Sequence, residues 1–372
     1  MTSYRDRVDA AGLKKLLALD GGGIRGVLTL EVLAELEAML RRELGRDERF
    51  VLADYFDYIG GTSTGAIIAA GLSCGMPVQR IQRLYHDNGR EMFDRAFLTR
   101  RFRYQYDSTR LQGLLQQEFG AATTFGDDRL RTLLMVVLRN ASTDSPWPLS
   151  NNPRATFNDA GRPDNNLTLP LWQLVRASTA APVYFPPEMV EIGEHEFVFV
   201  DGGLTMYNNP AFQLFLMATL GVYGLCWPTG EDRMLVVSVG TGTAPKSDDR
   251  LRAGDMNLLF NIPSIPAALM AAALHEQDML CRVFGRCLHG AVIDREVGDL
   301  MGPADGLPGE RHFTYLRYNA ALTESGLTAL GLGGIDPRRV QRLDSVESTQ
   351  DLRRIGSRVA RDVRPEHFRG FL

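Results

Sequence analysis

Three short segments carry residue types suited to acyl transfer. Gly61-Thr62-Ser63-Thr64-Gly65 fits the G-x-S-x-G pattern, in which small neighbours permit a strained strand-to-helix turn that exposes a serine hydroxyl. Ser63 is the candidate nucleophile, with Gly61 and Gly65 forming its elbow; the plainer reading makes Ser63 the cap of the helix that follows. Asp201 ends the apolar run 197–200 (FVFV) and precedes Gly202-Gly203, so another group has room to approach its carboxylate. A carboxylate hydrogen-bonded to serine acts directly as general base when its pocket is dry enough to raise its proton affinity. The plainer reading here is an Asp-Gly turn.

The third segment, Asp20-Gly21-Gly22-Gly23-Ile24-Arg25-Gly26, follows an apolar run and opens a helix. Backbone N–H groups without helical partners point outward at such a place, and the dipole favours negative charge. Three readings compete. Gly21, Gly23 and Gly26 satisfy G-x-G-x-x-G, the dinucleotide fingerprint of an NAD(P)-binding oxidoreductase, but Asp47 and Glu48, the acids at the right distance for the ribose, precede the second strand. An oxyanion hole needs no such acid. The third reading is close packing alone. A histidine base is the alternative to Asp201 acting directly: of six histidines (86, 195, 275, 289, 312 and 367), His275, His289 or His312 would complete a Ser, Asp201, His triad in hydrolase order.

Strands and helices must position these segments. Residues 15–20 (KLLALD) read as a buried strand, and from Val27 the positions Leu28, Val32, Leu36, Leu40 and Leu44 recur every four residues along one helix face. Residues 55–59 are the second strand candidate, joined by 60–65 to an apolar helix over 66–72. Continuous apolar runs at 133–138 (LLMVVL) and 234–239 (MLVVSV) suit parallel strands covered on both faces. Helices are expected at 210–223 and 266–283, a long loop at 141–170, and a terminal helix in which Ser348 and Asp351 form a capping pattern ahead of Leu352, Ile355 and Val359. The class is α/β with a mostly parallel sheet, and no composition break marks a second domain.

Composition narrows the partners. Lys and Arg number 41 against 45 Asp and Glu, a net charge of −4, so no global field draws the chain to a nucleic-acid polymer or an anionic membrane. Four cysteines without C-x-x-C spacing indicate neither a zinc site nor a disulfide framework. The N-terminus lacks an apolar stretch, which leads to the expectation of a cytoplasmic protein without a signal peptide. Residues 256–274 are long and uncharged, but two prolines and two asparagines make them a poor spanning helix. Glycine, at 37 of 372 residues, clusters beside expected strand ends.

Four segments together resemble the patatin-like phospholipases: the glycine turn 20–26, the serine elbow 61–65, Arg176-Ala177-Ser178-Thr179-Ala180-Ala181-Pro182 leading into Tyr184-Phe185-Pro186, and Asp201-Gly202-Gly203 followed by Asn208-Asn209-Pro210. Tyr106-Asp107, Phe119-Gly120 and the run 314–319 extend the likeness over roughly residues 15–320. The resemblance implies a three-layer α/β/α fold, taken as a single domain over 1–372 with a helical extension from about 321, and a serine/aspartate dyad without catalytic histidine. By motif, Ser63 is nucleophile, Asp201 base, and the backbone of Gly22 and Gly23 with Arg25 nearby the oxyanion hole. Neither metal nor organic cofactor is implied. The implied activity is hydrolysis of fatty-acyl esters of phospholipids or related lipids, with peripheral membrane contact during catalysis. Some bacterial members are antiphage effectors switched on by cyclic di- or oligonucleotides, so a cyclic-nucleotide activator is left open, as are a homodimer and a catalytically silent lipid-binding or signalling module. Two segments are candidates for the interface: residues 93–106, which interleave Arg95, Arg100, Arg101 and Arg103 with aromatic residues, and a greasy lip at 258–274. Their plainer readings are inward-packed aromatics and a buried helix.

Overall fold

The strand that leads to the glycine turn is apolar on both faces: Leu16, Leu17, Ala18 and Leu19 are all fully buried. A strand at the centre of a helix-covered sheet requires this pattern. The computed structural model describes residues 3–93, 104–182, 185–243, 258–294, 296–302 and 309–372, with backbone alone for 104–109 and 258–267. In chain order the helices are α1 (Tyr4–Val8), α2 (Gly26–Glu43), α3 (Thr64–Ser73), α4 (Val78–Phe93), α5 (Tyr104–Phe119), α6 (Leu171–Ser178), α7 (Ala211–Thr219), α8 (Leu258–Phe284), α9 (Glu324–Ala329), α10 (Pro337–Val340) and α11 (Thr349–Val359). The strands are β1 (Lys14–Leu19), β2 (Tyr58–Thr62), β3 (Leu133–Asn140), β4 (Ser145–Ser150), β5 (Glu188–Ile192), β6 (His195–Asp201), β7 (Met234–Val239), β8 (Arg286–His289) and β9 (Thr314–Tyr318).

These strands make one sheet in the order β5-β6-β3-β2-β1-β7-β9-β8, with β4 also paired to β3. The run β3-β2-β1-β7-β9-β8 is parallel throughout, whereas β4, β5 and β6 pair antiparallel. Helices lie on both sides, so the fold is the expected mostly parallel α/β arrangement. On α2, Leu28, Val32, Leu36 and Leu40 form the fully buried stripe that their spacing predicts.

Several expectations are corrected. The second strand spans Tyr58–Thr62, not 55–59. Gly60 and Gly61 belong to it because neighbours exclude a side chain there: a Cβ on Gly60 would lie 2.8 Å from Met135 Cε, and one on Gly61 2.1 Å from the Gly65 carbonyl oxygen. The stretch 141–170 is not all loop, since β4 lies within it as a hairpin partner of β3. The helix expected over 210–223 stops at Thr219, and that expected over 266–283 extends back to Leu258. Ser348 does not cap α11 through its side chain; its hydroxyl bonds Ser345 instead, 2.9 Å away. The buried stripe Leu352, Ile355 and Val359 does pack inward. Gly356 sits so close to α2 that a Cβ would meet the Leu28 carbonyl oxygen at 2.7 Å.

Candidate active site

Strand β3 acts as a ruler that brings two distant segments together. Along one edge Val137 pairs with Thr62 of β2, and the next residue, Leu138, pairs with Asp201 of β6. Strand β4 occupies the opposite edge. The end of β2 and the end of β6 therefore meet head to head, where β2 has finished and β6 has just arrived.

Ser63 follows directly from β2 and adopts φ +54°, ψ −122°, a conformation costly for a residue with a Cβ. It holds the N-cap position of α3 but makes no side-chain cap bond. Its Oγ instead donates to Asp201 Oδ2 at 2.7 Å. Asp201 Oδ1 accepts the Gly203 N–H at 2.7 Å, and Ser63 and Asp201 are only 9% and 6% exposed. Burial raises the Asp201 carboxyl to about 6, against the lowering effects of the Ser63 and Gly203 hydrogen bonds and the nearby Arg176 guanidinium.

The tight approach depends on missing side chains. A Cβ on Gly65 would stand 2.3 Å from the Leu19 carbonyl oxygen, and one on Gly202 2.1 Å from that of Val137. Ser178, at the end of α6, accepts the Ser63 N–H at 2.9 Å and donates to the Val137 carbonyl at 2.7 Å. The same segment steadies Asp201, whose N–H donates to the Ala180 carbonyl at 3.0 Å. On the other side of the elbow the Tyr85 hydroxyl bonds both the hydroxyl and the carbonyl of Thr64.

At the glycine turn the backbone donors can be accounted for one by one. The N–H of Gly21 goes to the Asn208 carbonyl, that of Ile24 to Leu343 and that of Arg25 to Gly22. Those of Gly22 and Gly23 donate to no described residue. Gly23 has φ +58°, in the region that favours glycine. The turn lies against the elbow: a Cβ on Gly21 would be 3.3 Å from Ser63 Cβ. Arg25 is buried, its Nε has no partner among the described residues, and burial lowers its guanidinium to about 10. Two N–H groups without a described acceptor, on a turn that packs against the serine elbow, have the chemistry of an oxyanion site.

Asp20 anchors this turn from beneath. Its carboxylate receives Nη1 and Nη2 of Arg317 at 2.8 and 2.5 Å, and the same Nη1 reaches Ser238 Oγ at 2.7 Å. Both partners of this fork are at most 4% exposed. Arg317, Ser178 and Tyr85 hold no role in the sequence reading. The first two lie in segments that carry the resemblance, but only the fold reveals their partners.

The histidines stand elsewhere. His289 stacks on His367 and packs against Tyr318, His312 lies against Phe215 and Phe284, and His275 is exposed on α8. None is hydrogen-bonded to Ser63 or Asp201. Among the described residues no group of three His, Cys, Asp or Glu converges as metal ligands would. Of the two interface candidates, residues 94–103 lie outside the described residues. The 258–274 segment is part of α8, and its Met270 approaches Gly203, with Cε 3.7 Å from where a Cβ would stand.

A family model described as "Patatin-like phospholipase" matches residues 17–215, more than half of the chain, including the glycine turn, Ser63 and Asp201. The chain belongs to the patatin-like phospholipase family. Within reach of this family, it is 31% identical over 349 residues to patatin-like protein 1 of Oryza sativa subsp. indica, covering 80% of each chain. It is 33% identical over 210 residues to a cGAMP-activated phospholipase of Vibrio cholerae, 53% of this chain and 56% of that protein. A cGAMP-activated phospholipase of Escherichia coli is 32% identical over 203 residues, 53% of this chain and 54% of that one. The chain thus spans about half the length of these two bacterial relatives.

Proposed function

We propose that the chain is a serine acyl hydrolase that cleaves fatty-acyl esters of phospholipids or related lipids, with Ser63 as nucleophile and Asp201 as base. The observation that carries this reading is the 2.7 Å hydrogen bond between Ser63 Oγ and a buried carboxylate whose proton affinity is raised into the working range. Asp201 Oδ2 takes the Ser63 proton as Oγ attacks the ester carbonyl carbon. The resulting oxyanion faces the N–H groups of Gly22 and Gly23, each such donor contributing about 3–4 kcal/mol. As the tetrahedral species collapses, the carbonyl–oxygen ester bond breaks and the leaving alcohol takes the proton held by Asp201. Water then gives a proton to Asp201 and attacks the acyl-enzyme, and Ser63 leaves with that proton to restore the starting state.

Apolar side chains lie exposed near Gly203. Leu204 and Met206 follow Gly203 and are 41% and 45% exposed, and Leu269 on α8 is 65% exposed. Exposed apolar residues of this size beside a polar site suit insertion among acyl chains, and they support the proposal of peripheral membrane contact. No described helix is long and apolar enough to cross a membrane. The two bacterial relatives are cGAMP-activated phospholipases, which extends the proposal to activation by a cyclic nucleotide.

The test is a lipid-release profile. Purified protein is incubated with mixed phospholipid vesicles, with and without cGAMP, and the products are read by mass spectrometry. Free fatty acid and lysolipid are expected from the wild type and none from Ser63→Ala. Products that persist in Ser63→Ala contradict the assignment, and lipid binding without any product supports a silent binding module instead.

A further inference from the structure

Away from Ser63, the outer face of α11 and the turn that follows it carry a row of arginines. Arg353, Arg354, Ser357, Arg358 and Arg361 recur at the spacing of one helical face, opposite the buried Leu352, Ile355 and Val359. The four arginines line a groove of about 540 Å³ with a single carboxylate, Glu31 of α2. Arg353 is bonded to Glu31 at 2.9 Å and Arg354 to Asp351 at 3.3 Å. No ion pair ties Arg358 or Arg361 to a described residue. A second hollow of about 280 Å³ adjoins it, sharing Glu31 and Arg353 and continuing to Gln82, Arg83, Tyr85 and His86 of α4.

One half of this cleft offers guanidinium forks, and the other the exposed Arg83 and His86 side chains, while the Gln82 amide is clasped to Glu31 and the Tyr85 hydroxyl is turned to Thr64. Arginine binds phosphate bidentately and stacks on flat rings. The combined hollow falls within the roughly 300–1,000 Å³ of small-ligand sites. Arginines from both α4 and α11 line the hollow, so a compact phosphate-bearing ligand with a flat ring meets guanidinium groups from two walls, which a flat bilayer surface does not. We infer that the cleft between α2, α4 and α11 binds a phosphodiester ligand of nucleotide size. The inference rests on the proposed nucleotide-activated hydrolase for its consequence, because both walls connect to the candidate site. The segment leading into α11 presents the Leu343 carbonyl to the Ile24 N–H at 3.0 Å, beside the unused donors of Gly22 and Gly23. From the other wall, Tyr85 bonds Thr64, the neighbour of Ser63. Glu31 ties the walls together, accepting also from Gln82 and Ser357. A phosphate on Arg353 competes with that clasp, and a ligand shifts an equilibrium only through such differential contacts.

The experiment is calorimetric titration of the full chain with cGAMP, with inorganic phosphate and with phosphatidylglycerol vesicles as separate arms, alongside lipid hydrolysis. The wild type is expected to bind cGAMP. Arg358→Glu/Arg361→Glu weakens that binding at least tenfold with an unchanged circular dichroism spectrum and unchanged basal hydrolysis, and loses any stimulation by cGAMP. Arg83→Glu applies the same test from the α4 wall should the double variant fail to fold. Glu31→Gln, which removes the competing carboxylate, tightens binding several-fold. Affinity within twofold of wild type in both arginine variants overturns the inference, as does binding of vesicles or phosphate alone without cGAMP. Arginine-dependent cGAMP binding in a protein that releases no fatty acid supports the cleft and strikes only the hydrolase reading.

Discussion

At Asp201 the burial that suits the carboxylate to its proposed role as base also makes it costly to ionise. Its proton affinity rises from an ordinary value of 3.8 to about 6, a penalty of about 3 kcal/mol on the charged form. The proposed mechanism needs that form, so kcat/KM is expected to rise as pH increases through about 6 and to level off above it. Stability runs the opposite way. Because the folded value exceeds the unfolded one, the stabilising contribution of the bound proton is complete below about pH 4 and is lost as pH rises through about 6. Asp201→Asn is therefore expected to abolish nearly all hydrolysis, by a factor on the order of 10²–10⁴, while unfolding at a higher temperature than wild type at pH 8. That advantage shrinks towards pH 4, and thermal melts across this range check it. A second residue-scale prediction concerns the Asp20–Arg317 fork. Arg317→Leu leaves a buried carboxylate unpaired and is expected to cost about 3–5 kcal/mol, whereas Asp20→Asn/Arg317→Leu recovers most of that loss in denaturant titration. The identity of Ser63 and Asp201 as candidates was legible because each sits in a short local pattern. Arg317 and Asp20 are 297 positions apart, and no periodicity links them.

Among the elements, the glycines decide the geometry. Gly61 and Gly65 press on each other across the elbow, and Gly65 also presses on the end of β1. Alanine at either position forces backbone apart, so Gly65→Ala is expected to lower both melting temperature and fluorophosphonate reactivity, whereas alanine at Gly45, which has space for a Cβ but φ +59°, costs only local strain. The apolar runs identified β1, β3 and β7 within a residue or two because a doubly covered strand needs no alternation. The displacement of β2 by three residues has the same origin as the elbow: glycine in a strand reads as a turn until the packing that demands it is visible. The β3 ruler was not legible at all. Which strand pairs with the last three residues of β3 depends on where β2 stops, and that is a property of the assembled sheet.

For the whole molecule, the near-neutral balance hides a division of labour between surfaces. Apolar Leu204, Met206 and Leu269 lie on the side of Gly203 and α8, whereas the arginines lie on the outer face of α11, whose buried face packs on α2. Leu204→Glu/Leu269→Glu is expected to reduce hydrolysis of vesicle lipid at least tenfold while leaving a water-soluble short-chain ester unaffected; equal loss on both substrates would place these residues in the acyl pocket and not at an interface. The family and α/β class were legible from four motifs in order, whereas the cleft on α11 was not, because its charges become a site only when α2 and α4 supply the other walls.

The central claim is that Asp201, and no histidine, activates Ser63. Intact-protein mass spectrometry during reaction with a fluorophosphonate, run with and without cGAMP, tests it most directly. One adduct on Ser63 is predicted in the wild type, with the same rate in His275→Ala, His289→Ala and His312→Ala, a rate at least a hundredfold lower in Asp201→Asn, and no adduct in Ser63→Ala. Wild-type labelling in Asp201→Asn together with its loss in any one of the histidine variants would contradict the account.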